Sequence, residues 1–294
     1  MEPGSISSDD LILEELIGSG RSADVYRGSY EGRIVSVKQL RSSRGPEAAA
    51  HRGELSREIC ILQELSKLSH PHLVHFLGHT DHEPLRLVTE FCGGGTLHDM
   101  LHFCDHIKLS WSQRFLMLSQ VADAMTYLHG ANPRCIHRDL KSPNLLLADP
   151  VYSEVDKPIM KVSDFGLARF VTEDEYNAPN RLTRDVGTQI WKAPEMLLGS
   201  DYNEKVDNYS FGIIIYEVIC RVLPFEDLSP QDFMENIVQG ARPDPSDMAS
   251  ENCPEELAIL AQRCWAHTPS DRPPFTSIVS VLNAINIPGE CVAI

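Results

Sequence analysis

The sequence predicts an α+β fold with two lobes: a small five-stranded antiparallel β lobe with one main helix, then a larger, mainly helical lobe. At 294 residues the chain exceeds the size at which one hydrophobic core usually stops growing. Short β-branched runs separated by turns fill the first ninety positions, whereas helical spacing dominates after three consecutive glycines at 93–95. We therefore expect an N-terminal extension at 1–10, lobes at 11–92 and 93–287, and a short tail at 288–294.

The first lobe contains five predicted strands and one predicted helix. The helix is indicated by apolar residues at helical spacing between residues 53 and 68. Alternating or β-branched runs predict strands at 11–17, 24–30, 33–40, 73–77 and 86–90.

The second lobe begins with a clear helix signal. Ser110, with Gln113 three residues later, matches a capping box that opens a long helix. Residues 205–220 are apolar on nearly every face, which is typical of a helix buried at the centre of a lobe. Further helices are predicted at 254–264 and 275–285.

Charge and cysteine content restrict the expected partners. The formal net charge of −16 disfavours nucleic acid and anionic membranes as general partners. Eight cysteines without a CxxC pair indicate reduced thiols and a cytoplasmic location. The longest apolar stretch, 211–219, is about half the ~18 residues that a membrane span needs.

A glycine-rich segment lies between the first two strands. Gly18 and Gly20 precede Ala23 and Val25. A dinucleotide-binding fingerprint would instead open a helix. Glycines allow the backbone of such a hairpin to approach phosphate oxygens and to offer N–H groups. The alternative is an ordinary Gly-Ser hairpin turn.

The third strand carries a lysine suited to binding phosphates. Alternation places Ser36 and Lys38 on the face opposite Val35 and Val37. Glu58, on the following helix, can pair with Lys38 and hold its ammonium group against phosphates. The alternative is an edge-strand lysine whose ammonium group extends into water.

Residues 137–144 and 164–166 combine the groups that phosphoryl transfer needs. These are a carboxylate to accept the proton of the attacking hydroxyl, a cation for the γ-phosphoryl group, and oxygen ligands for Mg²⁺. Asp139, Lys141, Asn144 and Asp164 match these roles in that order.

Taken in order, these motifs resemble the eukaryotic protein kinase family, from about residue 11 to residue 286. The resemblance implies a bilobal fold with ATP and Mg²⁺ in the cleft between the lobes. It implies that Lys38 and Glu58 form an ion pair, that Asp139 is the catalytic base, and that Asn144 and Asp164 are the Mg²⁺ ligands.

The resemblance also implies an adenine pocket. Thr89 falls at the gatekeeper position, and Glu90 to Cys92 form the hinge that bonds adenine. Val25 would lie above the ring and Leu146 below it. Ser36 and Ala23 depart from the family pattern, which has alanine and a third glycine there.

Contacts that support the site are implied as well. Glu195 is expected to pair with Arg272, and Asp207 to tie the central helix to the catalytic loop. A stack of apolar and aromatic side chains is expected from Leu62, Phe76, Phe165 and His137.

Lys141 is typical of serine/threonine kinases, and the segment 187–195 resembles the tyrosine-kinase-like group among them. The expected partner is a protein substrate with a Ser or Thr acceptor. The alternatives are a nucleotide-binding pseudokinase or scaffold, and a dual-specificity kinase. A small-molecule kinase is disfavoured by 187–195, which in the family shapes the peptide platform.

Three weaker signals complete the analysis. Thr183 is the expected activating phosphorylation site. His98, His102 and His106 share one face of a helix, for which solvated histidines are favoured over a metal site. The last four residues, which begin with Cys291, match the pattern of a prenylation signal. A membrane partner is expected only if this cysteine is lipidated.

Overall fold

A six-stranded sheet forms the β lobe of the structure, a computed structural model that describes residues 4–20, 22–41, 46–67, 69–172 and 190–287. Its spatial order is β1-β5-β6-β4-β3-β2. Five strands pair antiparallel, as predicted, and a short sixth strand pairs parallel with β5. The strands are β1 (Gly4–Ser5), β2 (Leu11–Ser19), β3 (Ala23–Tyr30), β4 (Arg33–Leu40), β5 (Phe76–His79) and β6 (Arg86–Glu90).

Strand β5 begins three residues later than the sequence predicted. Leu73 forms a bridge with Val162 of the other lobe, and the Val74 N–H donates to the Val162 carbonyl at 2.9 Å. The hydrogen bonds across the lobes are made by the Val74 N–H and by the His72 carbonyl, which accepts from the Val162 N–H at 2.8 Å. Periodicity alone cannot distinguish this pairing from membership of the sheet.

Strand β1 lies in the segment that the sequence placed ahead of the lobe. Beside it, Ile6 is only 4% exposed and joins Val35, Val37 and Val88 in a small core on the face of the sheet opposite Lys38. Gly78 permits this docking, because a Cβ there would lie 2.6 Å from both the Gly4 carbonyl oxygen and Ile6 Cδ1. Residues 4–6 thus complete the sheet.

Replacing Ile6 by alanine is expected to lower the free energy of unfolding by about 2–5 kcal/mol, as for other buried isoleucines. Ile12, on β2 at the opposite edge of the sheet, is 62% exposed and provides the matched control. Its replacement by alanine is expected to change stability by less than about 0.5 kcal/mol. Urea unfolding of both variants measures the difference, and equal losses would contradict the docking of Ile6.

The main helix of the β lobe, α1 (Pro46–Ser66), begins seven residues before the predicted start. The predicted start at residue 53 followed from the apolar spacing, which begins only at Leu55. Pro46 opens the helix instead, at the position where its missing N–H is not needed. The apolar residues that predicted the helix, including Leu55 and Leu62, are buried.

The second lobe is built around a buried central helix. Helix α5 is buried from Val206 to Ile219, as its composition predicted, and the capping box of Ser110 and Gln113 is present at the start of α3. The helices are α2 (Leu97–His102), α3 (Trp111–Gly130), α4 (Pro194–Leu197), α5 (Lys205–Cys220), α6 (Pro230–Val238), α7 (Pro245–Ser250), α8 (Glu255–Cys264) and α9 (Phe275–Ala284).

Four short strands complete the second lobe. They form two antiparallel pairs, β7 with β10 and β8 with β9. Their bounds are β7 (Arg134–Ile136), β8 (Leu145–Leu147), β9 (Met160–Val162) and β10 (Arg169–Val171). In the described part of the chain, no helix has the length and apolar character to cross a membrane.

Candidate active site

A cavity of about 690 Å³ lies between the two lobes. The glycine-rich segment and β4 line it from one lobe, and the loop before β8 and the segment after β9 from the other. Thirteen of the fifteen residues that the sequence proposed for the site line this cavity: Gly18, Gly20, Ala23, Val25, Ser36, Lys38, Glu58, Thr89, Glu90, Cys92, Asn144, Leu146 and Asp164.

Lys38 is the meeting point of two carboxylates. Its Nζ lies 2.8 Å from Glu58 Oε2 and 3.0 Å from Asp164 Oδ1. Burial opposes the charge on Lys38, but the two carboxylates outweigh it and raise the pKa of the ammonium. Burial likewise opposes the charge on Asp164, and Lys38 nevertheless holds the pKa of this carboxyl below its usual value. The lysine is therefore a fixed cation and Asp164 a fixed anion.

Glu58 behaves differently from its two partners. Its side chain, on α1, is buried, and this burial raises the pKa of Glu58 to about 7 despite the nearby ammonium of Lys38. Since the native protein holds this proton more tightly than the unfolded chain, the stability that Glu58 contributes is present at acid pH. It is lost as the pH rises through about 7.

Replacing Glu58 by glutamine is expected to remove this pH dependence. Between about pH 5 and about pH 8, the free energy of unfolding of the wild type is expected to fall relative to that of the variant. Urea titrations of both proteins at the two pH values measure the change. A difference that is independent of pH would contradict the raised pKa.

The loop between β7 and β8 brings the three polar groups of the catalytic motif together. Lys141 Nζ lies 2.8 Å from Asp139 Oδ2. The Asn144 amide Nδ2 donates to the same Oδ2 at 3.0 Å and to the Asp139 carbonyl at 2.8 Å. Asp139 and Lys141 are therefore tied to Asn144, which itself lines the cavity.

Asp207 holds this loop in place through hydrogen bonds to its backbone. Its side chain is fully buried at the start of α5 and accepts hydrogen bonds from the backbone N–H groups of His137, at 2.9 Å, and Arg138, at 2.8 Å. His129 Nε2 lies 2.8 Å from the same carboxylate. The predicted tie between the central helix and the loop is confirmed.

Two further predicted contacts are present. Arg272 forms a bidentate ion pair with Glu195, at 2.6 and 2.9 Å. The rings of His137 and Phe165 lie with centroids 5.1 Å apart. Leu62 and Phe76, the other predicted members of the stack, are buried in the same core.

The other end of the cavity is lined by β4, by β6 and by the hinge that follows β6. Ser36 lies beside Thr89 in the register of β4 and β6. After the hinge, the Gly93 N–H donates to the Ala148 carbonyl at 2.9 Å. Burial raises the pKa of Cys92 to about 12, which keeps this thiol protonated at neutral pH.

Sequence reasoning missed several polar residues of the cavity, among them Thr96 and Asp99. The Thr96 hydroxyl caps α2 by accepting from the Asp99 N–H at 3.0 Å. The spacing Thr-x-x-Asp is a recognisable capping pattern, so a signal for the start of this helix was present. Nothing in that pattern indicated that the cap would face the cavity.

Sequence reasoning also missed the buried carboxylate of Glu217, which contacts the catalytic loop. Oε1 of Glu217, in α5, lies 2.8 Å from His102 Nε2, and Oε2 accepts from the Trp191 indole at 3.0 Å. The Ser142 hydroxyl, next to Lys141, also donates to it. Glu217 thus joins α2, the catalytic loop and the segment before α4. Its sequence signal is a single charge within the apolar stretch 211–219.

The histidine pattern does not form a metal site. Helix α2 ends at His102, so His106 does not continue its face. The ring of His98 packs against that of His102, with centroids 4.7 Å apart. Within the described ranges, no group of three or more His, Cys, Asp or Glu residues is arranged to hold a metal ion.

Several predictions fall outside the described residues. Thr183, the N-terminal part of the 187–195 segment, and Cys291 lie there. The expected phosphorylation and lipidation therefore stay predictions.

The fold, the ion pair in the cleft and the tied catalytic loop together are those of a protein kinase domain. A family model described as protein tyrosine and serine/threonine kinase matches residues 11–282, and the chain belongs to this family. Its members generally use ATP and Mg²⁺.

Similar curated proteins are serine/threonine kinases by name. Two probable serine/threonine-protein kinases of Dictyostelium discoideum are 34% and 35% identical to the chain, each over 95% of it, and the matches cover 15% and 28% of those proteins. Mitogen-activated protein kinase kinase kinase 7 of Bos taurus is 31% identical over 94% of the chain and 44% of its own length. The chain therefore spans less than half the length of these relatives.

Proposed function

We propose that this chain transfers the γ-phosphoryl group of Mg-ATP to serine or threonine hydroxyls of protein substrates. The observation that carries the proposal is that Lys38, Asp164 and Asn144 line one cavity between the lobes and that Asn144 binds the Asp139 carboxylate. Lys38 contacts Asp164 at 3.0 Å, and Asn144 contacts Asp139 at 3.0 Å. Phosphoryl transfer depends mainly on such positioning and charge neutralisation.

The donor set fits a magnesium nucleotide. Asp164 supplies an ionised carboxylate, and Asn144 donates through its amide nitrogen, so that its carbonyl oxygen is the end suited to a cation. Oxygen ligands of this kind suit Mg²⁺, which when bound neutralises charge on the phosphates. Lys38, held by Glu58, would bind the α and β phosphates.

The remaining groups would act on the acceptor. Asp139 would orient the substrate hydroxyl and accept its proton through the carboxylate. Lys141, whose Nζ lies 2.8 Å from Asp139 Oδ2, would place a positive charge where the γ-phosphoryl group moves between oxygens.

Specificity for serine and threonine is supported by Lys141 and by the names of the relatives. We place the chain in the tyrosine-kinase-like group on the pattern of residues 187–195 and of the Asp207 helix. A protein substrate is supported by the same platform segment, and dual specificity is the competing possibility.

Position-scanned peptide arrays with labelled ATP test the proposal. We expect label on serine and threonine peptides, and its loss in Asp139→Asn. Label on tyrosine peptides as well would establish dual specificity. Nucleotide binding without transfer to any peptide or protein would favour a pseudokinase and overturn the proposal.

A further inference from the structure

Three side chains from three neighbouring strands meet at the tip of the glycine-rich segment. Ser19 ends β2 and lies opposite Asp24 of β3 in the strand register. Arg41 directly follows β4, and its backbone N–H donates to the Ser22 carbonyl at 3.0 Å. The strand pairing therefore brings Ser19, Asp24 and Arg41 together, and we call these three residues the loop cluster.

The contacts within the loop cluster are specific. Arg41 binds Asp24 through two nitrogens, with Nε 2.9 Å from Oδ2 and Nη2 2.5 Å from Oδ1. The Ser19 hydroxyl donates to Asp24 Oδ1 at 2.8 Å and also contacts Arg41. The hydrogen bonds from Arg41, and then from Ser19, lower the pKa of Asp24 below its usual value. Planar bidentate pairing of this kind fixes geometry as well as charge.

The loop cluster spans the segment whose backbone lines the cavity. Gly18, Gly20 and Ala23 are part of the cavity lining, whereas no side chain of the loop cluster is among the described lining residues. Inside the loop, the Gly20 N–H donates to the Ala23 carbonyl at 2.9 Å. The cluster therefore holds the backbone that lines the cavity without lining the cavity itself.

A glycine-rich loop loses much conformational freedom when it closes on a ligand. Contacts that order the loop beforehand reduce this loss and so increase affinity. Here the two ends of the loop, at Ser19 and Asp24, are linked to each other and to β4 through Arg41.

We propose that the loop cluster positions the glycine-rich backbone for the phosphates of the nucleotide and thereby sets the affinity for them. The inference rests on the proposed function, since it assumes that this loop covers a nucleoside triphosphate. Ser19, Asp24 and Arg41 are positioning residues, because they act through the loop's N–H groups.

The same sheet offers a matched control. Arg27 and Glu14 form an ion pair between β3 and β2, with side chains 33% and 37% exposed. Arg41 and Asp24 are 43% and 21% exposed, so the two pairs are similarly solvated. Only the Arg41 pair adjoins the glycine-rich loop.

The test compares two ligands by calorimetry: a non-hydrolysable ATP analogue with Mg²⁺, and adenosine, which has no phosphates. Arg41→Gln and Asp24→Asn are expected to weaken binding of the analogue by about three- to tenfold, as for an ion pair in a network. Binding of adenosine is expected to stay unchanged. Glu14→Gln, which breaks the control pair, is expected to affect neither ligand, and the exchanged pair Asp24→Arg with Arg41→Asp to recover part of the loss.

Amide hydrogen exchange of the nucleotide-free protein gives a second readout. Exchange within residues 18–23 is expected to be faster in Arg41→Gln than in the wild type, and unchanged in Glu14→Gln. Equal weakening of both ligands, or variants that bind the analogue as the wild type does, would overturn the role of the loop cluster. A wild-type protein that binds neither ligand would instead overturn the proposed function.

Discussion

Replacing Asp139 by asparagine is expected to reduce phosphoryl transfer by about 10²- to 10⁴-fold, the range of a lost general base. Asparagine keeps the size of the side chain and can still contact Lys141 and Asn144, which lie 2.8 and 3.0 Å from Asp139 Oδ2. What it loses is the ability to accept the proton of the substrate hydroxyl. Since Asp139 is outside the described cavity lining, nucleotide affinity is expected to change little.

Initial rates of peptide phosphorylation, together with nucleotide titration, measure the two effects separately. Asp105→Asn makes the same chemical change at an exposed position and serves as the control. Turnover retained in Asp139→Asn would refute its assignment as the base.

Replacing Arg272 by methionine is expected to destabilise the protein by about 3–5 kcal/mol, as when one partner of a buried ion pair is removed. Arg272 is 1% exposed and pairs with Glu195 through two nitrogens. It also donates to the carbonyls of Ala266, Lys205 and His267. The variant leaves a carboxylate and three carbonyls to be satisfied in other ways. Such a loss is a large part of the stability of a typical domain.

Urea unfolding compares this variant with Lys67→Met, which breaks an ion pair with Glu64 whose two side chains are 64% and 56% exposed. That exposed pair is expected to contribute less than about 1 kcal/mol. If Arg272→Met does not fold, the milder Arg272→Lys variant, which retains a positive charge, allows the comparison. Similar losses at positions 272 and 67 would show that the Arg272 pair does not hold the lobe together.

The sequence predicted the helices and strands whose signals lie within a few neighbouring residues. Alternation at Val35 to Lys38 gave both the strand and the face on which Lys38 lies, and the capping box at Ser110 gave the start of α3. The catalytic groups were predictable because a few residue types at short spacing carry the chemistry. The prediction that these groups meet in the cleft came from the family resemblance.

Features that depend on distant pairing could not be predicted. Leu73 and Val74 pair with β9, about ninety positions later in the chain, instead of joining the sheet. Ile6 docks because Gly78 allows the backbones to approach closely, and no period in either segment indicates this. Arg41 reaches Asp24 through the arrangement of three strands.

A crystal structure of the chain with Mg²⁺ and a non-hydrolysable ATP analogue tests the central claim most directly. We expect the triphosphate under the glycine-rich segment, the Lys38 ammonium at the α and β phosphates, and the metal between the oxygens of Asn144 and Asp164, with Asp139 facing the γ phosphate. A nucleotide bound elsewhere, or a metal held without Asn144 and Asp164, would contradict the account.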